Sequence, residues 1–543
     1  MTIVDMLRDN ARRYPNEVAL VEVNPERRER RHITWRDYDL VETTDDEPFR
    51  REMTWQVFDE KANRFANLLL SRGVRKDDKV AILLYNCIEW LPLYFGVLKS
   101  GATVVPLNFR YSAHEIEYCI DKADVNILVF GPEFIGRVEE IVDRVQAGRL
   151  LCYVGDDCPT WAESYRELAS LCSSADPQVP LREDEDAAIY FSSGTTGFPK
   201  AILHHHQSLT QAAEMEQVHH QQTHDDVFLC IPPLYHTGAC MHWMGSLLVG
   251  GRGVLLRGVS PKTVLETVSN EGCTIVWLLV PWAQDILVAL EQGTVRLKDY
   301  HLDQWRLMHI GAQPVPASLI RRWRAVFPNH AYDTNYGLSE SMGPGCVHLG
   351  MENLDHVGAI GVPGYRWECR LVDESGAEVA PGEVGELCVR GPGLMECYYK
   401  DPQATAETLV DGWLHTGDLA TMDTEGYVTV RGRSKNMLLT ASGQNIYPEE
   451  IESKLNNMPY VSESLIVLQK DKLVALIYPD FDDAFAHGME QSDIEKVMED
   501  NRNELNLQLP AYCQITKVKI HFEEFEKTAK KSIKRFMYQE VKG

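Results

Sequence analysis

The chain has 543 residues, and its 54 Lys and Arg against 80 Asp and Glu give a formal net charge of −26 at pH 7. This acidic balance argues against bulk binding to nucleic acid or to an anionic membrane, whose phosphates would repel it, although a local basic cleft can still hold a nucleotide. A chain of this length is expected to form three or more compact units.

The cysteines and the apolar runs indicate a cytoplasmic protein. The 13 cysteines are scattered without a CxxC pair, which favours free thiols in a reducing compartment over a disulfide framework. Residues 1–10 include Asp5 and no apolar run of the signal-peptide kind. The most apolar stretch, 274–290, is interrupted by Pro281, Gln284 and Asp285, so no membrane span is predicted.

Helical and strand patterns alternate in the first third of the chain. Apolar residues recur at helical spacing over 57–71, and the apolar runs at 79–85 and 125–130 predict buried strands. Ser112 and Glu115 form a capping box at the start of a further helix. This alternation predicts an α/β fold with a largely parallel sheet.

The charge-dense segment 26–54 contains two similar tripeptides, at 33–35 and 53–55. We interpret the segment as an exposed β-hairpin insertion with a solvated acidic tip, since charge runs are usually solvated faces; partner binding is the alternative.

The second half of the chain has a different pattern. Short strands with Gly and Pro turns over about 355–430 predict a small antiparallel β unit. Beyond Arg433 the pattern predicts a helix over 449–455, a hairpin from 463–468 and 472–478, and an acidic helix over 492–506. We therefore place a domain boundary between 433 and 434.

A loop rich in glycine and hydroxyl groups follows the apolar strand predicted at 187–191. Glycines let backbone N–H groups point inward, hydroxyls add donors and a lysine adds positive charge, and these parts suit a polyphosphate. The spacing is not that of a Walker A loop, and a flexible surface turn is the alternative. The loop residues are Ser192, Ser193, Gly194, Thr195, Thr196, Gly197 and Lys200.

This loop resembles the phosphate loop of the adenylate-forming superfamily, and further motifs of that family follow in order over nearly the whole chain. They are 234–238 with His236, 311–314, 336–340, 413–418, and 432–435 followed by 443–452. The chain resembles AMP-forming acyl-CoA synthetases, and its motifs are most similar to those of bacterial medium- and long-chain fatty acid–CoA ligases.

The resemblance implies roles for individual residues. It places His236 beside the acyl pocket, makes Glu340 a catalytic residue and Mg²⁺ ligand, and makes Lys435 the hinge of a mobile domain. Gly443 and Gln444 are implied in coenzyme A binding. Besides the phosphate loop, the implied nucleotide-binding residues are Gly311, Ala312, Gln313, Tyr336, Gly337, Ser339, Asp418 and Arg433.

These roles agree with the chemistry of the side chains. The Tyr336 ring can stack on adenine, the Glu340 carboxylate is a hard ligand for Mg²⁺, and Asp418 can accept hydrogen bonds from ribose hydroxyls. The resemblance implies two steps, in which ATP adenylates a carboxylic acid and the thiol of coenzyme A then displaces AMP. It implies ATP, Mg²⁺ and coenzyme A as cofactors, no nucleic-acid partner, and leaves a homodimer open.

One motif departs from the family pattern. Where the family has its last lysine, this chain has Ser532. Lys531 is the nearest lysine and is assigned as the catalytic one, and Lys530 and Lys534 are the alternatives. A basic run that is only solvated, without a catalytic role, is the other interpretation. Because one electrostatic donor can be worth roughly 10²–10³ in rate, the adenylation step depends on which lysine replaces it.

Several alternatives stay open. The acid can be fatty, alicyclic, aryl or dicarboxylic, the reaction can run in reverse, and another thiol can be the acceptor. A degenerate acyl-nucleotide-binding protein without turnover is the competing class, motivated by Ser532. The histidines at 204–206, 219, 220 and 224 lack a metal-binding spacing, so a helix face with a family-like His206 is preferred to a metal site.

The overall prediction is an α/β protein with two lobes. Residues 1–433 are expected to form a large N-terminal lobe of two α/β subdomains plus a small β-barrel-like unit, and residues 434–543 a mobile α+β C-terminal domain.

Overall fold

The computed structural model describes residues 1–28, 33–36, 39–41, 49–145, 150–192, 199–311, 315–351, 356–439, 445–469, 472–510, 513–527 and 533–538. These residues form two compact units. Unit 1 comprises Met1–Cys369 and Val389–Leu414, and unit 2 comprises Arg370–Cys388 and His415–Gly543. Over the described residues, every helix is too short or too polar to cross a membrane.

The helices are α1 Ile3–Arg13, α2 Pro25–Arg28, α3 Trp55–Ser71, α4 Trp90–Lys99, α5 Ala113–Lys122, α6 Ile135–Glu139, α7 Val142–Val145, α8 Tyr165–Ser170, α9 His206–His220, α10 Thr237–Val249, α11 Pro261–Glu271, α12 Val280–Glu291, α13 Ala317–Val326, α14 Pro402–Thr408, α15 Pro448–Leu455, α16 Phe481–Ala486 and α17 Gln491–Asn506.

The strands are β1 Val18–Val23, β2 Ile33–Arg36, β3 Asp39–Val41, β4 Arg50–Thr54, β5 Lys79–Leu83, β6 Thr103–Pro106, β7 Val125–Phe130, β8 Leu150–Tyr153, β9 Glu163–Ser164, β10 Asp186–Ser192, β11 Lys200–His205, β12 Val227–Cys230, β13 Arg252–Leu256, β14 Ile275–Leu279, β15 Leu307–Gly311, β16 Ala331–Asp333, β17 Asn335–Leu338, β18 Gly343–His348, β19 Val362–Pro363, β20 Glu368–Val372, β21 Val384–Arg390, β22 Cys397–Tyr398, β23 Leu409–Val410, β24 Trp413–Met422, β25 Val428–Arg433, β26 Leu438–Leu439, β27 Asn445–Ile446, β28 Val461–Gln469, β29 Lys472–Pro479 and β30 Lys517–Ile520.

Unit 1 is built on two mostly parallel sheets. The strand orders are β16-β15-β14-β12-β13-β1-β4 and β22-β11-β10-β6-β5-β7-β8-β9. Helices connect the parallel strands, as parallel pairing requires. The capping box predicted at Ser112 is present, because its hydroxyl accepts the Glu115 N–H and the Glu115 carboxylate accepts the Ser112 N–H.

The core of unit 1 is continuous across its two sheets. All ten residues of α4 are buried, as expected for a helix that is apolar on every side. The last of them, Lys99, is fully buried, and its ammonium group donates to Asp59, Asn63 and Asp176 over 2.5–3.0 Å. All three ammonium protons are thus used.

Unit 2 consists of antiparallel and mixed β structure with helices. Strands β24 and β25 pair antiparallel, with Asp418 opposite Arg433. Strands β28 and β29 form the predicted hairpin, β30 pairs parallel with β29, and α15 and α17 pack on this sheet around Ile466 and Ile494.

The fold class predicted from the sequence is confirmed, including the α/β lobe, the antiparallel β unit and the α+β tail. The hairpin in the 26–54 segment is confirmed for β2 and β3. The second tripeptide is not part of it, because β4 pairs with β1 and Trp55 begins α3. The acidic tip lies outside the described residues, and the boundary at 433/434 stays a prediction.

Candidate active site

The residues on either side of the phosphate loop are fixed by a strand pair in unit 1. Strands β10 and β11 pair antiparallel, and Ser192 lies opposite Lys200. Residues Ser193, Gly194, Thr195, Thr196 and Gly197 lie outside the described residues, so their roles stay predictions.

Tyr398 joins the lysine that ends the loop to the predicted Mg²⁺ ligand. The Lys200 Nζ atom lies 4.4 Å from the centroid of the Tyr398 ring, within cation–π range. The Tyr398 hydroxyl donates to Glu340 Oε1 at 2.8 Å. Burial raises the pKa of Tyr398, and the Glu340 carboxylate raises it further, so the phenol keeps its proton. The Tyr398 side chain thus contacts the Lys200 ammonium group through its ring and the Glu340 carboxylate through its hydroxyl.

The backbone around Ser339 and Glu340 is held from two sides. Burial lowers the pKa of His204 to about 4, so the ring is neutral at pH 7, and its Nε2–H donates to the carbonyl oxygen of Ser339 at 2.7 Å. The Met395 N–H donates to the carbonyl oxygen of Glu340 at 2.8 Å. Both side chains are therefore presented from a fixed turn between β17 and β18, and Tyr336 and Gly337 lie on β17 just before it.

Glu340 fits a magnesium ligand. Its side chain is half-buried, and Oε2 has no hydrogen-bond partner among the described residues. Magnesium binds proteins through one or two carboxylates together with substrate phosphates and water. One carboxylate oxygen oriented by Tyr398 and one still available match that requirement.

Two glycines, one near His236 and one in the 311–314 motif, lie against Trp277. A Cβ atom placed on Gly238 would lie 3.0 Å from the Trp277 ring, and one on Gly311 would lie 3.9 Å from Trp277 Nε1. Gly343, at a φ of +94°, packs against Thr237 in the same region. His236 precedes α10 as its N-cap residue and is half-buried. The Trp277 indole therefore packs against Gly238 and lies close to Gly311.

Unit 2 has its own polar site at the predicted ribose motif. Asp418 is 4% exposed, and its Oδ1 atom forms an ion pair with Arg433 Nε at 2.7 Å. Arg433 also donates to the carbonyl oxygen of Thr416 at 3.0 Å. Glu386 accepts the Gly417 N–H at 2.9 Å and contacts His415 Nδ1 at 2.8 Å. These bonds fix the turn that carries Asp418.

The predicted hinge follows directly. Lys435 is exposed in a short 3₁₀ turn, Ser434–Asn436. A Cβ on Gly432, at φ +156°, would lie 2.7 Å from Glu449 Oε2, so glycine is needed there. The described residues do not include Ala312, Gln313, Gly443, Gln444 or Lys531, and their roles stay predictions. Two other lysines are alternatives to Lys531 as the catalytic lysine. The Nζ atom of Lys534 lies 3.7 Å from Glu526 Oε2, and Lys530 is also outside the described residues.

Comparison with known proteins agrees with this architecture. The structure superposes on an anthranilate CoA ligase, AuaEII, in complex with anthranoyl-AMP with a TM-score of 0.85, at 24% identity and covering 99% of this chain and 96% of that one. The fold is therefore that of the adenylate-forming enzymes.

The sequence comparisons define the family. The AMP-binding enzyme model matches residues 7–399, and the model of the AMP-binding enzyme C-terminal domain matches residues 435–540. The chain belongs to the AMP-binding enzyme family, as an ATP-dependent, AMP-forming acid–CoA ligase.

Two relatives differ in the acid that they are named for. A feruloyl-CoA synthase from Amycolatopsis sp is 34% identical over 409 residues, which are 74% of this chain and 78% of that protein. A long-chain-fatty-acid–CoA ligase from Mycobacterium tuberculosis, FadD13, is 28% identical over 416 residues, covering 75% and 78%.

Sequence reasoning missed three residues of these sites. Tyr398 is 58 positions from Glu340, and no pattern links them. Glu386 lies on β21, 31 positions before Gly417. Trp277 lies within an apolar strand, so the sequence pattern predicts a core residue there. Only the pairing of distant elements reveals their roles.

Proposed function

We propose that the enzyme activates an aromatic carboxylic acid. In the first step a carboxylate oxygen attacks the α-phosphorus of ATP and expels pyrophosphate. In the second step the thiolate of coenzyme A attacks the acyl carbon of the adenylate and expels AMP. The proposal extends the family activity to a substrate class.

The position of Trp277 carries this proposal. Its indole lies 3.0 Å from a Cβ placed on Gly238 and 3.9 Å from one placed on Gly311, and we infer that it limits the length of an acyl chain there. The His242 ring contacts the same indole, with ring centroids 4.4 Å apart. A region with such rigid aromatic walls suits a flat, short substrate, because aromatic rings prefer offset-stacked or edge-to-face contacts. The relative named for feruloyl-CoA supports the same class.

The charged groups of unit 1 suit the adenylation step. We assign Lys200 to the β- and γ-phosphates and Ser339 to the α-phosphate, and we assign Glu340 as the residue that would hold Mg²⁺. When bound, Mg²⁺ supplies neutralisation of phosphate charge. Tyr398 orients both Lys200 and Glu340, which matters because phosphoryl and adenylyl transfer depend on positioning and charge neutralisation.

The groups of unit 2 suit recognition of the nucleoside. Asp418 forms an ion pair with Arg433, and we assign its carboxylate to the ribose hydroxyls. Tyr336 in unit 1 is assigned to adenine, and Lys531 to the charge that develops on the α-phosphate. A charge-assisted hydrogen bond of this type contributes about 1.5–3 kcal/mol.

A comparison of substrates tests which class of acid the enzyme activates. The enzyme would be given 4-hydroxycinnamate, benzoate, indoleacetate, octanoate and hexadecanoate with ATP and Mg²⁺, and the exchange of pyrophosphate into ATP would be measured. We expect kcat/KM for the best aromatic acid to exceed that for hexadecanoate by at least about tenfold, that is about 1.4 kcal/mol. Preference for hexadecanoate would contradict the aromatic proposal and leave the ligase activity intact.

A protein without turnover is the competing function, and Ser532 motivates it. A protein without turnover would bind ATP but would show no exchange of pyrophosphate into ATP with any acid in the set. Lys531→Ala is the matched variant: loss of exchange in that variant alone assigns the catalytic lysine, and unchanged exchange moves the role to Lys530 or Lys534.

A further inference from the structure

A buried group of histidines and carboxylates lies deep in unit 1. Its members come from α9, α10, β15, β16 and β18, and each side chain is 0% exposed. We call it the histidine cluster; its residues are Glu216, His220, His242, His309, Asp333 and His348. None of them takes part in the chemical steps of the ligase reaction proposed above.

Three imidazoles surround one carboxylate oxygen. Asp333 Oδ2 lies 2.8 Å from His220 Nε2 and 3.0 Å from His309 Nδ1, both within hydrogen-bond distance, and 3.3 Å from His348 Nε2. The oxygen and the two nearer nitrogens form a compact group of atoms that can each bind a metal ion.

His348 lies beside this group. The Gly350 N–H lies 3.0 Å from Asp333 Oδ1 and 3.1 Å from His348 Nδ1, and His348 Nε2 has no hydrogen-bond partner among the described residues. The other two nitrogens near Asp333 Oδ2, His220 Nε2 and His309 Nδ1, lie only 3.2 Å from each other. Their separations from Asp333 Oδ2 and from one another are close to the ligand spacing of about 3.3 Å that bonds of 2.0–2.1 Å give around tetrahedral zinc.

Glu216 fixes the orientation of His242. Its Oε2 atom lies 2.5 Å from His242 Nδ1 and, without a hydrogen bond, 3.1 Å from His220 Nδ1. A carboxylate that accepts the Nδ1–H group of His242 leaves the lone pair of that ring on Nε2. Metal-binding histidines are oriented by carboxylates in this way. His242 Nε2 is buried and has no hydrogen-bond partner among the described residues.

The cluster holds two carboxylates away from solvent. The side chains of Glu216 and Asp333 are each 0% exposed. A buried carboxylate is costly unless it is paired or coordinates a metal.

We propose that the histidine cluster is a structural zinc site. One nitrogen from each of His220, His242 and His309 lies within 4.8 Å of the other two, against a ligand spacing of about 3.3 Å around tetrahedral zinc. Glu216 orients His242 from outside. The four ligands are His220, His242, His309 and Asp333.

Such a site ties four elements together behind the substrate region. Zinc favours imidazole and carboxylate ligands, and four protein ligands leave no open position, as in structural sites. His242 is both a ligand and the neighbour of Trp277. The metal therefore holds in place the wall against which the acid is proposed to bind, and the proposal stands whether or not that acid is aromatic.

The test is the metal content of the full-length protein, purified without a histidine tag from zinc-supplemented culture and dialysed against a weak chelator. We expect about one zinc per chain by mass spectrometry of the elements. His309→Asn should reduce this at least about tenfold. Two variants should keep the metal: His330→Asn, which changes a buried histidine packed on Trp305, and His415→Asn, which changes the separate Glu386–Cys388–His415 group of unit 2.

A spectroscopic measurement on the unsubstituted protein covers the case in which His309→Asn does not fold. Cobalt added to metal-free protein should give the strong visible absorption of four-coordinate Co²⁺, saturating at about one equivalent and displaced by zinc. Zinc below about 0.1 per chain together with weak, octahedral-type absorption overturns the proposal. Equal zinc in folded His309→Asn, or its loss in His415→Asn, also overturns it.

Discussion

Tyr398→Phe isolates the hydroxyl that orients the proposed magnesium ligand. The substitution keeps the ring beneath Lys200 and removes only the donor that lies 2.8 Å from Glu340 Oε1. Partners that orient a metal ligand are worth about 10–100-fold in metal affinity or activity. Because Glu340 is only half-buried, the lower part of that range, about 10–30-fold, is expected for adenylation.

Tyr398→Ala should lose more, because it also removes the cation–π contact with Lys200. That contact contributes about 0.5–1 kcal/mol at a partly exposed position, which is a further factor of about two to five. Tyr399→Phe is the matched control. Its hydroxyl donates to Asp124 at 3.0 Å on the exposed surface, so removing it should change the rate by less than about twofold.

Pyrophosphate exchange at several Mg²⁺ concentrations measures all three variants. Tyr398→Phe should need more Mg²⁺ for half-maximal rate, whereas Tyr399→Phe should need the same as the parent enzyme. If folded Tyr398→Phe matches the parent in rate and in Mg²⁺ requirement, the row from Lys200 through Tyr398 to Glu340 has no role in adenylation.

Three further predictions concern separate parts of the molecule. Asp418→Asn removes a charged acceptor and should raise the KM for ATP about 10–100-fold, measured by steady-state kinetics, with little change in stability since its partner Arg433 is 42% exposed; an unchanged KM would contradict the ribose assignment. Trp277→Leu should increase kcat/KM for hexadecanoate relative to benzoate at least about tenfold, and an unchanged ratio would show that Trp277 does not limit chain length. Lys99→Met leaves Asp59 and Asp176 without their buried cation and should reduce the free energy of unfolding by about 3 kcal/mol in a urea titration; a loss below about 1 kcal/mol would refute the importance of this buried ammonium group.

Much of the fold follows from local sequence signals. The capping box at Ser112, the helical spacing over 57–71 and the apolar runs at 79–85 and 125–130 each correspond to an observed element. These signals depend on neighbours within one turn or one strand. The similarity of 53–55 to 33–35 carries no information on pairing, since β4 pairs with β1 and not with β2 or β3.

The site residues named from the motifs keep their roles as predictions. Ser339 and Glu340 are adjacent in the chain, and Asp418 forms an ion pair with Arg433 across the pair of β24 and β25. Tyr398 was not predictable, since it reaches Glu340 through the pairing of β22 with β11. The histidine cluster was missed for the same reason: its residues are on five elements, and no interval between them matches a metal-binding motif.

Release of AMP that depends on coenzyme A tests the ligase account most directly. The full-length enzyme would be incubated with ATP, Mg²⁺ and 4-hydroxycinnamate, with and without coenzyme A, and AMP and the acyl-CoA product would be quantified by mass spectrometry. The account predicts equal amounts of AMP and acyl-CoA, and only residual AMP when coenzyme A is left out. ATP binding with no AMP and no acyl-CoA, for this acid and for every acid from acetate to octadecanoate, would contradict it.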